Sequence, residues 1–151
     1  MGRVGQKLPL SSLFMLLLVL SSTWCPLPVH GWFEIYFDLI TVYVMNDLAP
    51  YTTLNLHCKS KDDDLGEHKL AHGQNFNWTF HINFWQTTLY WCSMWWYDSN
   101  GQVVQGTFDI YKARRDYARK CRSQCCWFIR KDGLYLGVYK GDAKLMFHWP
   151  K

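Results

Sequence analysis

Apolar and polar residues alternate along most of the chain beyond residue 35. Leu54, Leu56 and Cys58 alternate with Asn55 and His57, the period of a strand that buries one face and turns its cysteine inward. Similar runs predict strands over Ile35 to Asn46, Thr52 to Cys58, Phe76 to Ile82, Thr88 to Tyr97, Val103 to Tyr111, Cys125 to Arg130, Leu134 to Tyr139 and Lys144 to Trp149. Turn signals separate them: Asp98-Ser99-Asn100-Gly101 in one place and Lys131-Asp132-Gly133 in another, where glycine accepts the positive φ of a tight turn. Short strands at close intervals, without a Pro-rich linker or internal repeat, predict a single all-β domain. The expected architecture is a small antiparallel β-sandwich, disulfide-stapled, with one short helix.

Two departures from the alternation stand out. Thr88 to Tyr97 is apolar on both faces, with Tyr90, Cys92, Met94 and Trp96 on one and Leu89, Trp91, Trp95 and Tyr97 on the other. That predicts a strand at the centre of a sheet. Its aromatics read as core, and only Trp95, Trp96 and Tyr97, beside the turn, are placed for exposure. After Cys58 the pattern stops, and Lys59, Lys61, Asp62, Asp63 and Asp64 follow before Leu65 and Gly66. This reads as a solvated loop from Lys59 to Glu67, rooted on a buried cysteine and suited to recognition.

Lys112 to Arg122 holds six basic residues and one acid, and Asp116 precedes Lys120 by four. The spacing predicts a short solvent-facing helix. It serves either as a solvated connection or as a surface for an acidic receptor segment or an anionic polymer.

The first 31 residues have the form of a secretory signal: Arg3 and Lys7, then an apolar stretch from Leu8 to Leu20, then small and polar residues. The apolar stretch is shorter than the ~20 residues of a membrane span, so stable membrane insertion is not expected. Cleavage after Gly31 leaves one domain, 32–151, with cleavage after Thr23 as the competitor. The shorter product has 14 basic and 12 acidic side chains, too little net charge to argue for nucleic acid as a partner. Twenty-five of its 120 residues are Phe, Trp or Tyr, ample for a packed core.

An exported chain meets oxidising conditions, so its cysteines are first of all staples. Connectivity does not follow from spacing alone. Cys58 and Cys92 share inward parity, and joining them closes a loop of about 35 residues, worth roughly 3–4 kcal/mol. Cys121 with Cys125 closes a short loop, worth roughly 2 kcal/mol. Cys126 faces the opposite side from Cys125. With cleavage after Gly31 it is odd, either a free buried thiol or an intermolecular disulfide; with cleavage after Thr23, Cys25 is available to it. Asn77-Trp78-Thr79 is the single N-glycosylation sequon, on the water-facing side of its strand.

Catalytic, cofactor and metal sites are not expected. His68 and His72 are spaced i, i+4, but Glu67 precedes the pair, so no H-E-x-x-H is present. Asp62, Asp63 and Asp64 with Glu67 lack the ligand-spacer alternation of a calcium loop. His57 and His81 are the only pair resembling a general acid and base, and both have outward parity.

The run His57-Cys58-Lys59-Ser60-Lys61-Asp62-Asp63-Asp64-Leu65-Gly66 resembles the signature of the plant self-incompatibility protein family, the stigmatic S-proteins and their homologues. Ordered matches accompany it: Val42 to Leu48, Gly73, Asn83-Phe84-Trp85, Thr88 to Cys92, Phe108 to Tyr111, and Cys121 to Cys125 with Trp127. The resemblance covers most of residues 42–137. It implies four framework cysteines at Cys58, Cys92, Cys121 and Cys125, and a secreted, non-enzymatic ligand for a cell-surface receptor, in pollen rejection or a related signal. Contact candidates are Lys59, Lys61, Asp62, Asp63, Asp64, Glu67, Asn100, Arg114, Arg115 and Arg119. The competing readings are a secreted ribonuclease-type hydrolase and a membrane-active defence protein.

Overall fold

The computed structural model describes residues 39–117, 121 and 123–151. The expected signal segment, Cys25 and Arg119 lie outside the described residues. In chain order the elements are β1 (Leu39–Asn46), β2 (Leu54–Lys59), β3 (Asp64–Leu70), β4 (Asn75–His81), β5 (Leu89–Tyr97), β6 (Val103–Lys112), α1 (Ala113–Asp116), β7 (Gln124–Arg130), β8 (Gly133–Gly137) and β9 (Lys144–His148). They form two sheets, ordered β4-β1-β7-β8-β9 and β3-β2-β5-β6. The expected sandwich is therefore present, with one departure from a purely antiparallel design: β1 and β7 run parallel, Val42 opposite Cys125 and Val44 opposite Trp127. Both are interior strands with little polar surface, the setting that parallel pairing requires.

Alternating side chains of both sheets meet in one core. Ile40, Val42, Val44, Trp127, Ile129 and Leu134 come from the five-stranded sheet, and Leu54, Leu56, Cys92, Met94 and Ile110 from the four-stranded one. Trp127 is fully buried, and its indole N–H donates to the Ile110 carbonyl at 2.9 Å, a hydrogen bond that joins the two layers. At the β7–β8 turn, Gly133 matters chiefly for close approach: a Cβ there would lie 2.1 Å from the Phe147 carbonyl oxygen of β9.

The structure corrects the sequence expectations at five points. The charged run after Cys58 is no long loop; only residues 60–63 turn, and Asp64–Leu70 pairs with β2 as an edge strand. Trp96 is buried, while its neighbour Tyr97 is 58% exposed. The outward face of β5, with Trp91 and Trp95, is half-buried because the sandwich has no third layer. The expected solvent-facing helix is a single turn whose acid, Asp116, is fully buried. Finally, Cys126 is disulfide-bonded, which overturns the free-thiol reading.

The two expected disulfides form, Cys58–Cys92 and Cys121–Cys125. Cys58 and Cys92 face each other on neighbouring strands, so this staple locks β2 to β5 within one sheet and does not bridge the layers.

Candidate functional site

Strand register sorts the loops to two ends of the sandwich. Lys59 pairs with Trp91 and Asn55 with Trp95, while Leu89 pairs with Lys112. The turn at 60–63, the β4–β5 loop and α1 therefore share one end. The turn holding Asn100 lies at the other, with residues 49–53 and Lys131. The contact candidates are divided: Lys61, Asp62, Arg114 and Arg115 lie at the same end of the sandwich, Asn100 lies at the other, and Glu67 is exposed in the middle of β3.

The acidic turn is built by its own side chains. Ser60 Oγ accepts from the Asp62 and Asp63 amides at 3.2 and 2.9 Å and donates to Asp63 Oδ2 at 3.1 Å. Asp64 Oδ1 lies 2.5 Å from His57 Nε2 and accepts from Gly66 N–H at 3.0 Å; its Oδ2 is 3.0 Å from Lys59 Nζ. The His57 imidazole first, then the Gly66 amide and the Lys59 ammonium, hold the Asp64 carboxyl well below the usual carboxylate range. Lys59, Asp63 and Asp64 thus shape the turn, and Lys61, Asp62 and Glu67 remain with exposed, outward-facing side chains.

Beneath the turn, the Tyr90 hydroxyl donates to Asp63 Oδ2 at 2.9 Å. Burial, followed by the Asp63 carboxylate, pushes the phenol from 10.0 up to about 12. A raised phenol pKa contributes stability that is complete below the unfolded-state pKa and disappears as pH rises through the folded-state value. Unfolding free energy should accordingly fall between about pH 10 and 12, with a smaller slope in Tyr90→Phe, measured by denaturant unfolding at a series of alkaline pH values.

Across from the turn, the β4–β5 loop is fixed by Asn83. Its Oδ1 accepts from Thr87 N–H at 2.8 Å, its Nδ2 donates to Thr87 Oγ1 at 2.7 Å, and its backbone N–H donates to Thr88 Oγ1 at 2.9 Å. Gln86 takes φ 52° and its N–H donates back to the Asn83 carbonyl, closing the loop tightly. The loop holds Phe84 and Trp85 outward, 89% and 74% exposed, their rings edge to face at 5.3 Å. Between loop and turn lies an open cleft of about 540 Å³, lined by Lys61, Asp62, Asp63, His81, Asn83 and Thr87 among others. Phe84 and Trp85 were not among the contact candidates. Their signal was available: adjacent large aromatics cannot both face inward from an extended chain, and turn-forming residues flank them.

The basic segment does less at the surface than its composition suggests. Asp116 accepts from Lys112 N–H at 2.8 Å and from Arg115 Nε and Nη2 at 2.7 and 2.8 Å. Arg115 also donates to the Asp109 carbonyl at 2.8 Å and lies over the Phe147 ring. Arg115 is therefore a clamp between β6, α1 and β9, while Arg114 is exposed.

His57 is occupied by Asp64, and His68 stacks on Phe76 at 3.7 Å. His68 ends up in a strand and His72 in the turn after it, so the i, i+4 pair never shares a helix face. Among the described residues no group of three or more His, Cys, Asp or Glu could hold a metal ion, and no helix is long and apolar enough to cross a membrane. Asn77 is exposed on β4, an edge strand.

Comparison with known proteins agrees with this architecture. The model of the family described as plant self-incompatibility protein S1 matches residues 41–149. S-protein homolog 24 of Arabidopsis thaliana is 41% identical over 126 residues, covering 82% of this chain and 74% of its own length. S-protein homolog 6 of the same plant is 45% identical, covering 73% of this chain and 74% of its own. Self-incompatibility protein S1 of Papaver rhoeas is 34% identical, with 66% and 69% covered. A solved structure from the SPH (self-incompatibility protein homologue) proteins, described as small, highly stable, secreted proteins from plants, superposes with a TM-score of 0.56. It shares 17% identity and covers 78% of this chain and all of its own.

Proposed function

The chain belongs to the plant self-incompatibility protein S1 family, and from that premise we propose that it is a secreted ligand that docks, without chemistry of its own, on a receptor protein at the surface of another plant cell. The observation that carries this reading is the exposed Phe84–Trp85 pair on a loop made rigid by Asn83. Aromatic side chains held in advance of binding act as interface anchors, because little entropy is lost when they are buried. Lys61 and Asp62 beside the cleft, with Arg114 at the same end, set partner choice and encounter rate through charge. Export is supported by the signal-like first 31 residues and by the secreted character of the structural relative. Asn77 carries a glycan on the edge strand, away from the docking end, and glycosidase treatment should lower the mass of the exported protein.

Labelled protein applied to intact pollen and to non-pollen plant cells tests the reading. Phe84→Ala with Trp85→Ala should weaken saturable binding at least about tenfold while the thermal midpoint stays unchanged; Asn100→Ala, at the far end, should bind as the parent does. Equal binding by the double variant would overturn the docking end. Equal retention by protein-free lipid vesicles would replace the receptor with a membrane surface.

A further inference from the structure

The outward face of the five-stranded sheet is unusual for a two-layer sandwich. Met45, Cys126 and Phe128 turn away from the main core yet are 6%, 4% and 0% exposed, forming a second apolar cluster with Tyr43, Tyr135 and Ala143 around it. Arg130 stacks on the Tyr135 ring at 4.4 Å and lies 6.0 Å from that of Phe128, closing one side. Cys126 is in the middle of this patch, opposite Tyr43 on β1 and Gly137 on β8.

Cys126 is disulfide-bonded. The other four cysteines of residues 39–151 are joined to each other, and the sequence holds six in all, which leaves Cys25. We infer that the exported protein retains Cys25, that its signal is removed upstream of that residue after Thr23, and that a Cys25–Cys126 disulfide ties the segment 24–38 onto the outer face of β1, β7 and β8. The tether is long enough. Cys126 pairs four residues into β1, about 13 Å along a strand, and the chain from Cys25 to Leu39 can span up to about 45 Å.

The linkage forms as the Cys25 and Cys126 thiols lose two protons and two electrons to the active-site disulfide of a dithiol oxidoreductase in the secretory pathway, which leaves as the dithiol. A cysteine one position from Cys125 can support a separate bond because adjacent strand residues face opposite sides. Cys125 reaches Cys121 on the core side, and Cys126 reaches outward. The inference does not depend on the docking end.

The test uses the full-length chain exported by plant cells. N-terminal sequencing should find a start upstream of Cys25. Thiol titration in denaturant without reductant should find none in the parent, one in C25S, one in C126S and none in the double variant. Non-reduced digests should link the Cys25 peptide to the peptide holding Cys125 and Cys126, and C126S should lose that link while keeping Cys121–Cys125. A start beyond Cys25, a titratable Cys126 thiol in the parent, or a reducible dimer joined through Cys126 would each overturn the inference. All three of those outcomes are read on the parent protein, so they decide the question even where a variant fails to accumulate.

Discussion

Replacing Cys58 and Cys92 together by alanine should lower the free energy of unfolding by about 4 kcal/mol while leaving the native sheet structure intact. The loop they close spans 34 residues in sequence, and in the chain-entropy model most of the stabilisation comes from restricting the unfolded chain. The staple lies across two neighbouring interior strands whose register the hydrogen-bond ladder and the buried Leu56 and Met94 already define. Its loss should not release one layer from the other, since the layers are held by the shared core and by the Trp127 hydrogen bond. For a domain of this size 1 kcal/mol corresponds to about 4 °C, so the midpoint should fall by roughly 15 °C. Removing Cys121 and Cys125 instead should cost about half as much, because that loop is short. Thermal and denaturant unfolding of both pairs decide the matter. Equal losses would mean that loop length is not what sets the stabilisation.

The same strands show what the sequence could and could not reveal. Eight of the strands announced themselves as alternating or wholly apolar runs between turn signals, because most of them place at least one face in the core. β3 did not, because Asp64, Gly66, Glu67 and Lys69 leave it wet along an edge, and hydrophobic periodicity reports burial and not pairing. Edge strands are commonly kept charged in this way, which protects a sheet against pairing with other chains. The parallel β1–β7 pair was equally hidden, because two strands more than seventy residues apart meet only once the whole sandwich closes.

Charge misled for a related reason. Asp63, Asp64, Arg115 and Asp116 looked like surface groups, and all four proved to hold the fold: Asp63 through Tyr90, Asp64 through His57 and Lys59, Arg115 and Asp116 through each other. A carboxylate in a sequence does not disclose its partner. The exposed aromatics were misplaced too: exposure was expected at Trp96, which is buried, and not at Phe84 and Trp85, although these break the strand pattern between turn residues.

Asn46→Ala should be among the most damaging substitutions in the chain, and nothing in the alternation marks it beyond a polar residue at the end of an apolar strand. The side chain is fully buried. Its Nδ2 donates to the carbonyls of Thr52 and Leu70, both at 2.8 Å, and its Oδ1 accepts from Leu48 N–H at 3.0 Å. One amide therefore joins the end of β1 to the segment leading into β2 and to the end of β3, across both sheets. Alanine strips a partner from three backbone groups, all of them in buried or part-buried surroundings. At about 1–3 kcal/mol for each buried group left unsatisfied, the expected loss is about 3–5 kcal/mol. Asn46→Asp separates hydrogen bonding from shape. It preserves volume and the acceptor for Leu48, but above the carboxylate range it turns an anionic oxygen toward two carbonyls. That arrangement raises the folded-state pKa of the new acid, so its stability should be greatest below the unfolded-state value of about 3.9 and decline as pH rises through the folded-state value. The Asp64 carboxyl, depressed in the fold, is common to parent and variant and makes both lose stability on acidification, so the difference between them isolates residue 46. Denaturant unfolding from about pH 3 to 7 should show the deficit of Asn46→Asp relative to the parent growing as pH rises, and a pH-independent deficit would mean that packing, and not the two donated bonds, is what Asn46 supplies.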